Sequence, residues 1–129
     1  MTDQQNDAAV DYDGLMQAHL YRVFGERDTI KRTAAIRELY AEDVVVYEEG
    51  VEAVGYAGVD HVVDAVLSKA PPIFVFGTYG PAVGHHGVGR MRWHFGPADG
   101  PPVVTGLDVV EIVNGRITTL HVFIDPPAA

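Results

Sequence analysis

Pro71-Pro72 separates two kinds of hydrophobic periodicity, and that change constrains the fold more than any other feature of the chain. Ahead of it, apolar side chains recur every three or four residues, as they do on the buried stripe of a helix. Tyr12, Leu15, Met16, His19, Leu20, Val23 and Phe24 form the first stripe, with Asp11 or Asp13 as its N-cap and Gly25 as its stop. A second helix begins after Asp28 and sets Ile36, Leu39 and Tyr40 on one face, until Ala41-Glu42-Asp43 breaks it. Val44 to Glu48 is β-branched and aromatic and reads as a strand; Gly50, Gly55 and Gly58 punctuate the loop after it, and a third helix fits Val59 to Lys69. Beyond Pro72 the period falls to two. Ile73 to Tyr79, Val88 to Phe95, Val103 to Val113 and Arg116 to Ile124 read as antiparallel strands, separated by Gly, Pro or Asn turns. Asn114-Gly115 is a two-residue hairpin signal, because both central residues of a type I′ turn need positive φ. Helices first and strands afterwards predict an α+β domain, with three N-terminal helices packed on a sheet.

A chain of 129 residues, 47% of them hydrophobic, suffices for one core and not for two. The domain is expected over 11–127, because residues 1–10 are polar, offer nothing to bury and read as a disordered tail. A net charge of −9 repels phosphate backbones and anionic lipid alike, so neither nucleic acid nor a membrane surface is an expected partner. No apolar run resembles a signal peptide or approaches the ~20 residues of a membrane span, which points to the cytoplasm. With no Cys there is no thiolate chemistry, and with Ser68 as the only serine there is no G-x-S-x-G elbow. Chemistry is left to carboxylates, His, Tyr and Arg.

Residues two apart on a strand share a face. Gly106, Asp108, Val110 and Ile112 make one face of the 103–113 strand, and Leu107, Val109, Glu111 and Val113 the other. In the last strand Leu120, Val122 and Ile124 oppose Ile117, Thr119, His121 and Phe123. Neither strand has a clean polar side. Helices are therefore expected on one face, and a second copy of the chain on the other, against Leu107, Val109, Ile117 and Phe123.

The order helix, helix, strand, helix, curved sheet, closing on Gly106-Leu107-Asp108-Val109-Val110, Asn114-Gly115-Arg116-Ile117 and Phe123-Ile124-Asp125, resembles the nuclear transport factor 2-like superfamily and its SnoaL-like group. Leu39-Tyr40-Ala41-Glu42-Asp43-Val44 and Gly58 add to the likeness. The resemblance implies a cone-shaped α+β barrel around a small-molecule pocket. In ketosteroid isomerase a carboxylate base ends the first strand, five residues after the Asp that closes helix two; counting from Asp43, that position is Glu48. A second carboxylic acid lies mid-sheet and falls on Asp108. The isomerase's helix-one Tyr falls on Leu20, which leaves His19 or Tyr40 as the substitute donor. In limonene-epoxide hydrolase the partners of the mid-sheet Asp fall on Gly106 and Val122, so that enzyme's Asp-Arg-Asp device is absent.

Taken as chemistry, Asp108 is a carboxylate between β-branched neighbours on the helix-facing side, where desolvation without partners favours its neutral form. Glu48 shares its face with Val44 and Val46, and His19 lies inside the helix-one stripe. Tyr40 and Trp93 read as core or cavity wall, although a buried Tyr hydroxyl needs a partner. His85-His86 lacks the spaced Asp or Glu that would complete a ligand set, so no metal is expected. Two functions remain. One is a cofactor-independent acid–base enzyme on a mostly apolar metabolite, an isomerase, cyclase or dehydratase, with Glu48 taking the proton and Asp108 donating a hydrogen bond, aided by His19 or Tyr40. The other is a non-catalytic pocket that binds a small molecule or docks a partner.

Overall fold

Two aspartates start the first two helices of the computed structural model, which describes residues 9–127. Asp11 accepts from the Gly14 amide at 2.9 Å and opens α1 (Tyr12–Ala18). Asp28 accepts from the Ile30 and Lys31 amides and opens α2 (Thr29–Leu39). Each cap satisfies backbone donors that would otherwise have no partner at a helix start. The tail assigned to residues 1–10 lies outside the described residues except for Ala9 and Val10.

Helix one does not stay α-helical to Gly25. After Ala18 it widens into a π-helical turn over His19–Phe24, ending where the Gly25 amide bonds to the Leu20 carbonyl at 2.7 Å. The wider turn brings four of its six residues inward, His19, Leu20, Val23 and Phe24, while Tyr21 remains 46% exposed.

The second helix ends one residue earlier than its stripe implies. Tyr40 has extended backbone and is the first residue of β1 (Tyr40–Glu48), so Ala41-Glu42-Asp43 belongs to a strand and not to a break. The glycine-punctuated segment after Glu48 contains a short strand, β2 (Val51–Val54), paired with β1, and α3 (Gly55–Lys69) starts four residues before Val59. Then come β3 (Phe74–Thr78), the three-residue β4 (Val83–His85), β5 (Val88–Pro97), β6 (Val104–Val113) and β7 (Arg116–Ile124). Asn114 and Gly115 have φ of 52° and 77°, as a type I′ turn requires.

The strand order is β2-β1-β7-β6-β5-β3, with β4 also on β5. The sheet is open rather than a closed barrel. It is also mixed, not wholly antiparallel: β1 runs parallel to β7, while the other pairs are antiparallel. A β-bulge corrects the facing of the last strand. Ile112 pairs with Ile117 and Glu111 with Thr119, so Thr118 is an extra residue and the alternation reverses across it. Ile117 is consequently 0% exposed in the core, not on the outer face where uninterrupted alternation puts it. The three helices pack on the inner face, closing the core over Val44, Val46, Met91, Val110 and Leu120.

Candidate active site

Asp108 points from β6 into the interior, where it is 3% exposed. It is not without partners. Trp93 Nε1 on β5 donates to Oδ1 at 2.9 Å, and His19 Nε2 on the π turn lies 2.8 Å from Oδ2. The other ring nitrogen of His19, Nδ1, is 2.6 Å from the Tyr40 hydroxyl. His19 and Tyr40 are both 0% exposed. One continuous hydrogen-bonded chain thus runs Tyr40, His19, Asp108, Trp93, and it joins helix one to three strands.

Local structure explains each placement. The π turn carries His19 inward, and the early end of α2 delivers Tyr40 to the first position of β1, beside that turn. Trp93 pairs with Gly106 across the ladder, and its indole occupies the space that a side chain at 106 would need. Burial, followed by the charge of Asp108, holds the Tyr40 hydroxyl well above its ordinary range, so it remains a phenol.

Asp108 borders a cavity of about 280 Å³ between the sheet and the ends of helix one and α3. Phe24, Phe74, Phe76, Trp93 and Phe95 supply aromatic wall, and Phe76 stacks on Phe95 with ring centroids 4.1 Å apart. Glu48, at the end of β1, borders the same cavity. Its carboxyl is raised above the usual carboxylate range, first by burial and second by the negative charge of Asp108. Two carboxyl groups in unequal surroundings therefore share one apolar space. His19 and Tyr40 do not border it; they stand behind Asp108.

The structure brings all four sequence candidates, Glu48, Asp108, His19 and Tyr40, to one end of the core. Sequence reasoning missed two features of the site. Trp93 read as wall, although its place on the Met91-Trp93-Phe95 face, with an indole donor that must be satisfied, was a usable signal. Lys69 read only as the end of a helix, yet it is the cation among the residues bordering the cavity, and it forms no ion pair among the described residues. His85 and His86 are exposed at the tip of β4, and no group of three His, Cys, Asp or Glu among the described residues could hold a metal ion.

The family profile described as a SnoaL-like domain matches residues 18–120. No curated protein matches the chain. Among solved structures, a provisionally assigned isomerase of the SnoaL-like family from Agrobacterium tumefaciens is 26% identical, with a TM-score of 0.80, over 89% of this chain and 97% of its own. A provisionally assigned polyketide cyclase from Sinorhizobium meliloti is 21% identical, TM-score 0.66, over 84% and 93% of the two chains. A provisionally assigned ketosteroid isomerase from Kribbella flavida is 15% identical, TM-score 0.65, over 92% and 83%. The last two likenesses speak for the shared fold alone. With the profile covering most of the chain, the protein belongs to the SnoaL-like family.

Proposed function

We propose that the protein is a cofactor-independent acid–base enzyme, of isomerase, cyclase or dehydratase type, acting on a mostly apolar metabolite. The observation that carries this reading is the pair Glu48 and Asp108, two carboxyl groups bordering one aromatic-walled cavity with their environments set apart. Such a pair divides labour: one group remains protonated and donates, the other remains ionised and accepts, as the two carboxyl groups of ketosteroid isomerase do. The cavity lies just below the usual range of about 300–1,000 Å³ for small-molecule sites, which suits a compact cyclic ligand. The Agrobacterium protein's provisional isomerase assignment agrees with this chemistry.

The test is proton exchange. Apolar cyclic ketones incubated with the protein in D₂O are expected to incorporate deuterium next to the carbonyl, and Glu48→Gln is expected to slow this by at least ~10²-fold. The variant should fold. Glutamine is nearly isosteric, and the Glu48 carboxyl forms no ion pair among the described residues, so the substitution leaves no partner behind. Binding of such ketones without exchange would favour the second reading, a non-catalytic pocket. One observation supports that alternative: both Asp108 oxygens already have partners, as they would in a purely structural pillar.

We also infer a homodimer through the outer sheet face. Tyr47 stacks on His121 at 5.0 Å and His121 on Phe123, which is 54% exposed, giving an aromatic ladder flanked by Leu107 and Val109. In a twofold dimer the same patch of each copy meets the other, which would cover these rings on both sides. Light scattering is expected to report twice the 14.0 kDa chain mass at micromolar concentration, and Phe123→Asp to shift it toward monomer. A monomeric wild type removes the proposal.

A further inference from the structure

The chain Tyr40–His19–Asp108–Trp93 contains more donors and acceptors than it has free choices. Indole N–H can only donate, so Oδ1 of Asp108 accepts from Trp93. Three proton arrangements remain along the other arm. Asp108 could donate to His19 Nε2, with Nδ1–H donating to the Tyr40 oxygen. His19 could be doubly protonated and donate at both ends. Or Tyr40 could donate to Nδ1 of a neutral ring, whose Nε2–H donates to Oδ2. In the first two the Tyr40 proton needs an acceptor of its own, and among the described residues its hydroxyl contacts only His19 Nδ1. A buried hydroxyl proton without an acceptor costs about 1–3 kcal/mol. The second arrangement also places a full charge on a fully buried ring. The third satisfies every donor. The tautomer is thus assigned from the network.

From this geometry we propose that Tyr40 and His19 are positioning residues that hold Asp108 as an acceptor at both oxygens, making Asp108 the catalytic base and Glu48 the catalytic acid. This deepens the acid–base reading, on which it rests, and reverses the roles that the resemblance to ketosteroid isomerase implies. The substrate class follows. It is a neutral carbonyl compound with an acidic C–H, because a negative charge at Asp108 and a proton at Glu48 match the two ends of an enolising group. In the step, a free lone pair of the Asp108 carboxylate takes the proton from the carbon beside the carbonyl. The C–H electron pair forms the new C=C bond, the carbonyl π pair moves to oxygen, and that oxygen takes the Glu48 proton. Collapse of the enol returns the oxygen's proton to Glu48 and a proton from Asp108 to the same carbon, so that a hydrogen exchanged with solvent while on Asp108 is carried into the product. The ketone and both carboxyl groups are then restored.

His19 orients Asp108 without touching substrate, and Tyr40 acts one bond further back by donating to Nδ1, which fixes the ring and keeps its Nε2–H on Asp108. Trp93 is the third support, from β5.

The experiment is a ¹⁵N measurement of the His19 ring in the full chain at neutral pH, alongside Tyr40→Phe. Wild type is expected to show a neutral ring, Nε2 protonated and Nδ1 bare. Tyr40→Phe, which keeps the ring and its packing, is expected to leave Nε2 protonated against Asp108 but to move the Nδ1 resonance to that of a nitrogen without a hydrogen bond, and to lower kcat for exchange roughly tenfold with KM unchanged. A wild-type ring protonated at Nδ1, alone or together with Nε2, overturns the proposal. So does a Tyr40→Phe protein with the wild-type Nδ1 resonance and the wild-type kcat. The tautomer is read without turnover. If no ketone exchanges, the acid–base reading fails, while the ring nitrogens still decide whether Asp108 is an acceptor at both oxygens.

Discussion

Asp108→Asn is expected to abolish exchange activity and to destabilise the fold. Loss of a positioned acid–base group costs about 10²–10⁴-fold in rate. The stability effect comes from the hydrogen bonds. Asp108 receives Trp93 Nε1–H at one oxygen and His19 Nε2–H at the other, and an asparagine can accept at only one of them. Its amide group then faces an N–H, or His19 changes tautomer and leaves the Tyr40 hydroxyl without its acceptor. Either outcome costs roughly 1–3 kcal/mol. An unpartnered Asp on an apolar face, as the sequence suggested, would respond oppositely, because the neutral amide would relieve a desolvated carboxyl. Urea unfolding decides the sign: a midpoint equal to or above wild type would show that the two donors do not need Asp108.

Gly106→Val is the second large effect. A Cβ at 106 would overlap the Trp93 indole and stand 2.7 Å from the Phe123 carbonyl oxygen, which belongs to a paired backbone and cannot retreat. The indole must move, and the donor to Asp108 Oδ1 moves with it. Overpacking of this kind costs typically about 1–3 kcal/mol, and the displaced hydrogen bond adds to it, so a loss of roughly 3 kcal/mol is expected. Trp93 is the only tryptophan, so its fluorescence reports the displacement directly. Wild-type stability with an unchanged emission spectrum would contradict this packing of Trp93 against Gly106.

Amphipathic stripes and alternating strands carried most of the fold. The stripe through Met16, Leu20 and Val23 is buried, as are Ile36 and Leu39, and the outward set Arg90 and Arg92 alternates with the buried Met91, Trp93 and Phe95. These features were legible because each is a local property: one period, one face. The short strands were not. Val51–Val54 and Val83–His85 are mostly exposed edge strands, held by ladder bonds to β1 and β5, and neither shows an apolar alternation to detect. The π turn in helix one was likewise invisible, since His19 and Leu20 fit an α-helical stripe and only their packing against β1 and the cavity shows the extra residue in the turn.

What the sequence determined by itself, then, was the α+β order, the hairpin at Asn114-Gly115, and the presence of Asp108 on an inward face with Glu48 beside Val44 and Val46. What the tertiary structure decided was the company those carboxyl groups keep. His19 and Asp108 are 89 residues apart and Tyr40 is a further 21 from His19, separations over which no local period carries information. Register adds a second non-local element. The bulge at Thr118 sets Asp108 opposite Val122 where simple counting from the turn gives His121, and it turns Ile117 inward. A carboxylate's burial follows from its own strand, but whether it donates or accepts depends on which N–H groups meet it, and those arrive from a helix and a strand that only the packed core brings together.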